Sequence, residues 1–217
     1  MITRSCNQSA ARVPAARPAA PHAQRPQRRG ALVARAAAAE APPASAAALK
    51  AELLSTAGSN YGHDLDAAAR SKVEALAGQL GALGHSAPSV VAGETWRPVY
   101  NNSVGNSSGK IKAGPLEIVT DVEQVFPSDE PGCYYNISRL GLVTAALKGV
   151  CGVSASNPTR VDLEFKEVAL KVGPFQLAKK TWEPGQMRGH WAATYWDADL
   201  RVFTTNKGSL FIMRREA

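Results

Sequence analysis

Turn signals divide the second half of the chain at short intervals, and their spacing constrains the fold more than any other feature of the sequence. From residue 94 onward, segments rich in Asn, Asp, Ser, Gly and Pro, which favour tight turns, separate runs without a helical period. These segments are Asn101-Asn102, Ser107-Ser108-Gly109, residues 128–132, Asn157-Pro158, Gly173-Pro174, Glu183-Pro184-Gly185, residues 197–199 and Asn206-Lys207-Gly208. About 120 residues divided in this way leave room for roughly eight strands, enough to close an antiparallel barrel.

Several of the intervening runs have the pattern of strands. Apolar and charged residues alternate over residues 161–166, which is typical of a strand with one buried face. The strand-like runs 200–204 and 210–213 flank the turn at 206–208 as the two strands of a hairpin do. The largely apolar run 140–153 fits either a strand or a short helix.

Two helices are predicted before the strands. The first covers residues 46–57, with Ser45 as its N-cap and Gly58 just after its end. The second covers residues 64–83, with Asp64 as the predicted N-cap and Gly84 as the terminator. Its apolar residues have the spacing of one helical face: Leu65, Ala69, Val73, Leu76, Leu80 and Leu83. The sequence therefore predicts an α+β fold, mainly β, with two N-terminal helices followed by an antiparallel β-barrel over residues 94–215.

All the net charge lies in the first 39 residues. They contain seven arginines and no Asp, Glu or Lys, whereas the chain as a whole has 25 basic and 18 acidic residues and a net charge of +7. An Arg-rich head poor in acids is typical of an organelle transit peptide. We therefore expect a transit peptide at 1–39, a disordered Pro/Ala linker at 40–48 and one folded domain at 49–215. The neutral remainder argues against nucleic acid as a partner.

The sequence offers little for catalysis or metal binding. His63, His85 and His190 do not have metal-ligand spacing, and neither a phosphate-binding loop nor a nucleophile elbow is present. We expect no enzyme, no cofactor and no metal. Beyond the head, Cys133 and Cys151 are either two half-buried thiols or a redox-sensitive pair.

Large aromatic residues fall in or beside the predicted strands. They either fill the barrel or line an apolar cavity, and sequence does not separate the two possibilities. The candidate ligand-binding residues are Trp96, Tyr100, Phe165, Tyr195, Arg201 and Phe211. Arg201 with Tyr195 could bind a ligand carboxylate, or Arg201 could pair instead with Asp197 or Asp199.

Three sequence blocks together resemble the plastid lipid-associated protein family, the plastid fibrillins. The first block is residues 93–100 (GETWRPVY), and the second combines Val125-Phe126 with Asn136-Ile137. The third and most specific is TYWDADLRV at 194–202, followed by NKGSLFI at 206–212. The resemblance covers residues 49–215.

The resemblance implies a lipocalin-like barrel in the chloroplast, located in the stroma and peripheral to thylakoids or to plastoglobules, the lipid droplets of plastids. It implies binding or organising small apolar molecules such as fatty acids, prenylquinones or carotenoids. In such barrels a first-strand Trp is covered by a late Arg, so Trp96 with Arg214 or Arg201 is expected to close one end.

Two other roles stay open. One is a structural coat or scaffold of plastoglobules or thylakoids that uses its outer surface, with Trp182 and the Lys179-Lys180 pair as candidate contacts. The other is partnership with a plastid enzyme of prenylquinone or lipid biosynthesis. Neither role requires a ligand inside the barrel, and in both the membrane association is peripheral only.

Overall fold

A computed structural model describes residues 45–84, 87–103, 109–113 and 116–216. The predicted transit peptide at 1–39 and residues 40–44 of the predicted linker lie outside the described residues. The described elements are α1 (Ala46–Ala57), a 3₁₀ turn (Asn60–Gly62), α2 (Ala67–Ala82), β1 (Thr95–Asn101), β2 (Lys110–Ala113), β3 (Leu116–Val119), β4 (Asp121–Val125), β5 (Cys133–Leu140), β6 (Val143–Ser154), β7 (Asn157–Val172), β8 (Phe175–Thr181), β9 (Arg188–Trp196), β10 (Leu200–Thr205) and β11 (Leu210–Arg215). Within these ranges, the helices are too short or too polar to cross a membrane.

The first helix has the predicted bounds, whereas the second begins three residues later than expected. Ser45 caps α1 by accepting a hydrogen bond from the Ala48 amide at 3.2 Å. The N-cap of α2 is Asp66, whose Oδ1 accepts from the Ala69 amide at 2.8 Å, so the prediction of Asp64 was wrong. Asp64 instead accepts a hydrogen bond from Asn60, in the turn that precedes the helix.

Eight strands form the closed antiparallel barrel that the turn spacing predicts. The order is β6-β5-β4-β1-β11-β10-β9-β7, and pairing of β6 with β7 closes the ring. The ambiguous run 140–153 contains a turn at 141–142 and most of β6, so it is a strand. A separate hairpin, β2–β3, is inserted between β1 and β4.

One sheet of the barrel extends past its rim. Strand β7 is 16 residues long and changes partner along its length. Residues 160–164 pair with β9, whereas residues 167–172 pair with β8, the ninth strand of the sheet. We call the part beyond this change the projecting sheet: 143–148 of β6, 166–172 of β7, all of β8, and the turns 141–142 and 173–174. The two turns form its tip.

The molecule has two apolar cores, one on each side of the barrel wall. The inner core fills the barrel and includes Trp96, Phe126, Trp191 and Phe203. The outer core lies between the two helices and the outer face of β1, β9, β10 and β11, which we call the helix-covered wall. Strand β10 contributes to both cores, because Leu200 and Val202 face the helices while Phe203 faces the interior.

Candidate functional site

The inner core contains a charged side chain. Arg201 on β10 is 2% exposed, and its guanidinium lies between two indole rings, 3.7 Å from the centroid of Trp96 and 4.4 Å from that of Trp196. Its Nη2 donates to Glu94 Oε2 at 2.7 Å. Burial lowers the pKa of Arg201 to about 10, against the attraction of Glu94, so the guanidinium is still charged at neutral pH.

Glu94 and Arg201 fasten the segment that precedes β1 across one end of the barrel. The Trp96 Nε1 donates to Glu94 Oε2 at 2.9 Å, and Arg201 Nη2 also donates to the carbonyl of Ser89 at 3.2 Å. Backbone bonds between this segment and Phe126 add to the closure. The arrangement holds this end closed, because the guanidinium stacks on the indole rings and joins Glu94 and the segment, and these contacts offset part of the cost of its burial.

The sequence correctly placed an arginine over Trp96, but only one of its two candidates does this. Arg214 is exposed and lies opposite Arg97 in the β1–β11 register, so the closing residue is Arg201. The predicted ion pair of Arg201 with Asp197 or Asp199 was wrong, because its partner is Glu94. Nothing in the local sequence marks Glu94, which lies 107 residues away from Arg201.

The rest of the interior is filled by aromatic side chains. Ring centroids are 4.9 Å apart for Trp191 and Phe203, 5.6 Å for Phe203 and Phe211, and 5.6 Å for Tyr134 and Trp191. Towards the other end, a cavity of about 30 Å³ lies beside Phe211 and Gln124. That volume accommodates a water molecule, whereas pockets for small organic ligands are about 300–1,000 Å³.

The six candidate ligand-binding residues do not form one site. Trp96, Phe165, Arg201 and Phe211 belong to the inner core or pack against it. Tyr100 and Tyr195 lie in the outer core, on the other side of the wall. Tyr195 therefore does not join Arg201 in binding a carboxylate.

Each of the two outer tyrosines fastens a helix to the barrel. The Tyr100 hydroxyl donates to Glu74 of α2 at 2.9 Å, and burial together with this carboxylate raises the pKa of Tyr100 to about 12. The Tyr195 hydroxyl donates to Asp197 at 2.7 Å, and Lys50 of α1 donates to the same carboxylate at 2.8 Å. Both contacts are structural.

The carboxylate of Asp197 has a strongly lowered pKa. Partial burial alone would raise the pKa of Asp197, but hydrogen bonds from Lys50, Tyr195 and two backbone amides outweigh it and lower the pKa to about 2. The carboxylate is therefore ionised at neutral pH and joins α1 to the β9–β10 turn.

The two cysteines do not form the predicted redox pair. Both thiols are free, and Cys133 lies opposite Val150, so the next residue, Cys151, points to the other face of the sheet. Burial raises the pKa of Cys151 to about 12, and it also raises the pKa of Cys133. Neither thiol is activated, because the thiolate is the reactive form.

The projecting sheet exposes large apolar side chains. All seven residues of β8 are exposed. The exposed fractions are 75% for Leu142, 71% for Phe175 and 63% for Leu177, the three highest among the large apolar residues outside β2 and β3 in the described part of the chain. The two tip turns are adjacent, because the Gly173 amide donates to the Leu142 carbonyl at 2.9 Å. Sequence reasoning missed this cluster, since exposure here depends on the change of partner along β7.

The charged residues of the projecting sheet are mostly lysines. It has five lysines and one acidic residue, Glu167. Lys148 and Lys166 pair with acids outside the projecting sheet, and Lys179 pairs with Glu167 at 2.7 Å. The predicted surface contact Lys180 lies on β8 with its ammonium 5.8 Å from the ring centroid of half-buried Trp182.

A second surface feature is an open cleft of about 440 Å³ at the other end of β6 and β7. Its charged side chains have partners within the cleft: Arg160 pairs with Asp162 at 2.8 Å, and Arg188 approaches Glu164 at 3.9 Å. Two of its other lining residues, Cys151 and Leu163, border the inner core. Because both signs of charge are balanced there, the cleft indicates no charged ligand.

No family model matches the chain, and no match was found among the curated proteins or the solved structures. The case for a function therefore comes from the contacts, exposures and charges described above and from the sequence blocks.

Proposed function

We propose that this chain is a non-enzymatic lipid-associated protein of the chloroplast, which binds or organises small apolar molecules at the surface of thylakoids or plastoglobules. The three sequence blocks are one support. The observation that carries the proposal is that the interior is filled while the projecting sheet leaves Leu142, Phe175 and Leu177 mostly exposed. Clustered exposed apolar side chains mark sites of protein or membrane contact.

The volume of the interior favours contact with lipid on the outside. A cavity of about 30 Å³ is roughly a tenth of the smallest pocket that encloses a small organic ligand. Enlarging it would require displacement of packed rings such as Phe203 and Phe211. Of the roles left open by the sequence, a coat or scaffold that contacts lipid with its outer surface is therefore the best supported.

The contacts of the buried ionisable groups support a role without catalysis. Arg201 and Glu94 close the barrel end, while Asp197, Lys50 and Tyr195 join a helix to a turn. Each of these groups stabilises the fold through its partner. A biosynthetic enzyme as partner would use the same outer surface and would be recovered with the chain from plastid extracts.

Vesicle flotation and native mass spectrometry of the full chain test this proposal together. We expect the chain to float with lipid vesicles and to show no stoichiometric apolar adduct after purification. A stoichiometric adduct would replace the scaffold with an interior carrier. Absence of both flotation and adduct would contradict any lipid-associated role.

A further inference from the structure

We propose that the tip of the projecting sheet is the part of the molecule that enters the lipid surface, and that it prefers an anionic surface. This inference rests on the proposed function and specifies where and what that function binds. The tip consists of the turns 141–142 and 173–174, with the side chains of Leu142, Phe175 and Leu177 around them.

The backbone of the tip suits shallow insertion. Unpaired amides and carbonyls are costly in hydrocarbon, so an inserted turn must satisfy its own polar groups. The Gly173 amide donates to the Leu142 carbonyl, and Val143 pairs with Val172 just behind the turns. By contrast, none of the described strands pairs with the outer side of β8, so deep insertion would leave that edge without a partner from the described residues. The apolar turns are therefore the part that enters.

With the apolar tip inserted, three lysines would lie at the depth of the lipid headgroups. Lys171 is two residues before Gly173, and Lys179 and Lys180 are four and five residues after Phe175. At about 3.3 Å per residue, these distances are roughly 7 to 17 Å. Interfacial segments place apolar side chains about 5–10 Å deep and keep cations above them.

The charge of the projecting sheet determines which kind of lipid surface it prefers. Five lysines against one glutamate make the projecting sheet basic, although residues 40–217 together carry no net charge. Among the described residues, neither Lys171 nor Lys180 forms a salt bridge, in contrast to Lys166 and Lys179. These two cations are thus available to anionic headgroups, which attract basic residues next to a membrane.

A second copy of the chain is a less suitable occupant. Pairing of two β8 edges would bring Lys179 and Lys180 of both copies to one seam, and lysines on an edge strand oppose edge-to-edge association. The oligomeric state in solution is therefore part of the test.

The decisive variant removes the apolar tip from the full chain. Leu142→Ser, Phe175→Ser and Leu177→Ser are combined, and flotation with phosphatidylcholine vesicles containing phosphatidylglycerol is compared with wild type. We expect the vesicle partition coefficient to fall at least about tenfold, because three large apolar side chains no longer leave water. The matched control combines Leu83→Ser, Val153→Ser and Met187→Ser, which are 46%, 47% and 41% exposed away from the tip, and should stay within about twofold of wild type.

The anionic preference has its own variant. Lys171→Gln with Lys180→Gln should lower partitioning by about fivefold per lysine at low salt, and should have little effect on vesicles of phosphatidylcholine alone. Equal losses on both kinds of vesicle would overturn the preference for an anionic surface.

A direct probe reports which residues enter the lipid. Wild-type Trp96, Trp191 and Trp196 are buried, whereas Trp182 is half-buried next to the projecting sheet. In a Trp182→Phe background, a Trp introduced by Phe175→Trp should therefore add emission that brominated acyl chains quench. The same substitution at Val153 should remain unquenched. Quenching at Val153 alone would place the contact elsewhere and overturn the inference.

The outcomes separate the two proposals. If wild type floats and the tip variant floats equally, the inference fails while the proposed function stands. If wild type does not bind any vesicle, the proposed function fails and the inference with it. A wild-type dimer that the tip substitutions dissociate, with vesicle binding unchanged, would assign the tip to self-association and overturn the inference.

Discussion

The closed end of the barrel and the tip of the projecting sheet place charge and apolar surface in opposite ways. At the closed end, the Arg201 guanidinium is buried between two indoles and neutralised by Glu94. At the tip, Leu142 and Phe175 are exposed, and two of the lysines behind them, Lys171 and Lys180, form no salt bridge with the described residues. The closed end and the helix-covered wall therefore provide stability, and the projecting sheet is the proposed contact surface.

The largest expected loss of stability comes from a substitution at the closed end of the barrel. Arg201→Met leaves Glu94 buried without its main partner, so we expect the free energy of unfolding to fall by about 3–5 kcal/mol. The matched control is Arg214→Met on the neighbouring strand, which is exposed and should change stability by less than about 0.5 kcal/mol. Chemical denaturation of both variants measures the difference. Equal losses of unfolding free energy in the two variants would mean that the buried Arg201–Glu94 pair contributes no more to stability than an exposed arginine.

A smaller change in the free energy of unfolding is expected from substitutions where α2 packs on the helix-covered wall. A Cβ at Gly81 would lie 2.7 Å from Thr194 Cγ2 and 3.1 Å from the Thr194 carbonyl oxygen. Gly81→Ala should therefore lower the free energy of unfolding by about 1–3 kcal/mol through overpacking. Gly78→Ala in the same helix meets nothing within 4 Å and should raise it by about 0.5–1 kcal/mol through helix propensity. Thermal unfolding of the pair checks the opposite signs, and stabilisation by both substitutions would contradict the close contact.

The next prediction concerns pH at the same wall. The folded-state pKa of Asp197 is about 2, below the usual value of 3.8 for an aspartate, so its contribution to stability is present above about pH 4 and is lost as the pH falls towards 2. Because the carboxylate is partly exposed, we expect that loss to be about 1 kcal/mol after allowance for solvent screening. Denaturation of wild type and Asp197→Asn at pH 5 and pH 2.5 measures it. Identical pH slopes for the two proteins would rule out this linkage.

The smallest expected effect is at the tip. Phe175→Ser and Leu142→Ser should each change the free energy of unfolding by less than about 0.5 kcal/mol, because side chains 71% and 75% exposed bury little surface in the free protein. The same denaturation experiment applies. A loss above about 1 kcal/mol would show that the tip contributes to the fold and would weaken the contrast with the closed end.

Local chemistry allowed the barrel and the first helix to be predicted. Turn residues and a capping serine act within a few positions, so the strand-rich region, the 206–208 hairpin and the bounds of α1 were confirmed. The start of α2 was wrong because Asp64 and Asp66 are both good caps. Residues 60–63 form a turn with positive φ at Asn60 and Tyr61, and this turn delays the helix.

The site residues were harder to predict, because they depend on contacts between distant strands. The sequence indicated a Trp96–Arg stack but not the choice between two arginines, which follows from the face on which each side chain lies. The β-bulge between Pro98 and Tyr100 turns Tyr100 to the outer wall, away from the interior candidates, and the sequence does not mark this bulge. Exposure of Leu142 and Phe175 requires knowledge of where β7 changes partner.

Strand β10 lies at the boundary of the two cores, and its position has a consequence for how the chain unfolds. Leu200 and Val202 support the helices from the same six residues that supply Phe203 and Arg201 to the interior. Loss of either core would remove the side-chain packing from one face of β10. We therefore expect the helices and the barrel to unfold in a single cooperative transition. The projecting sheet continues β6 and β7 of the barrel, but none of its residues belongs to either core. We therefore expect its outer end, with β8, to fray and re-form while the rest of the molecule stays folded.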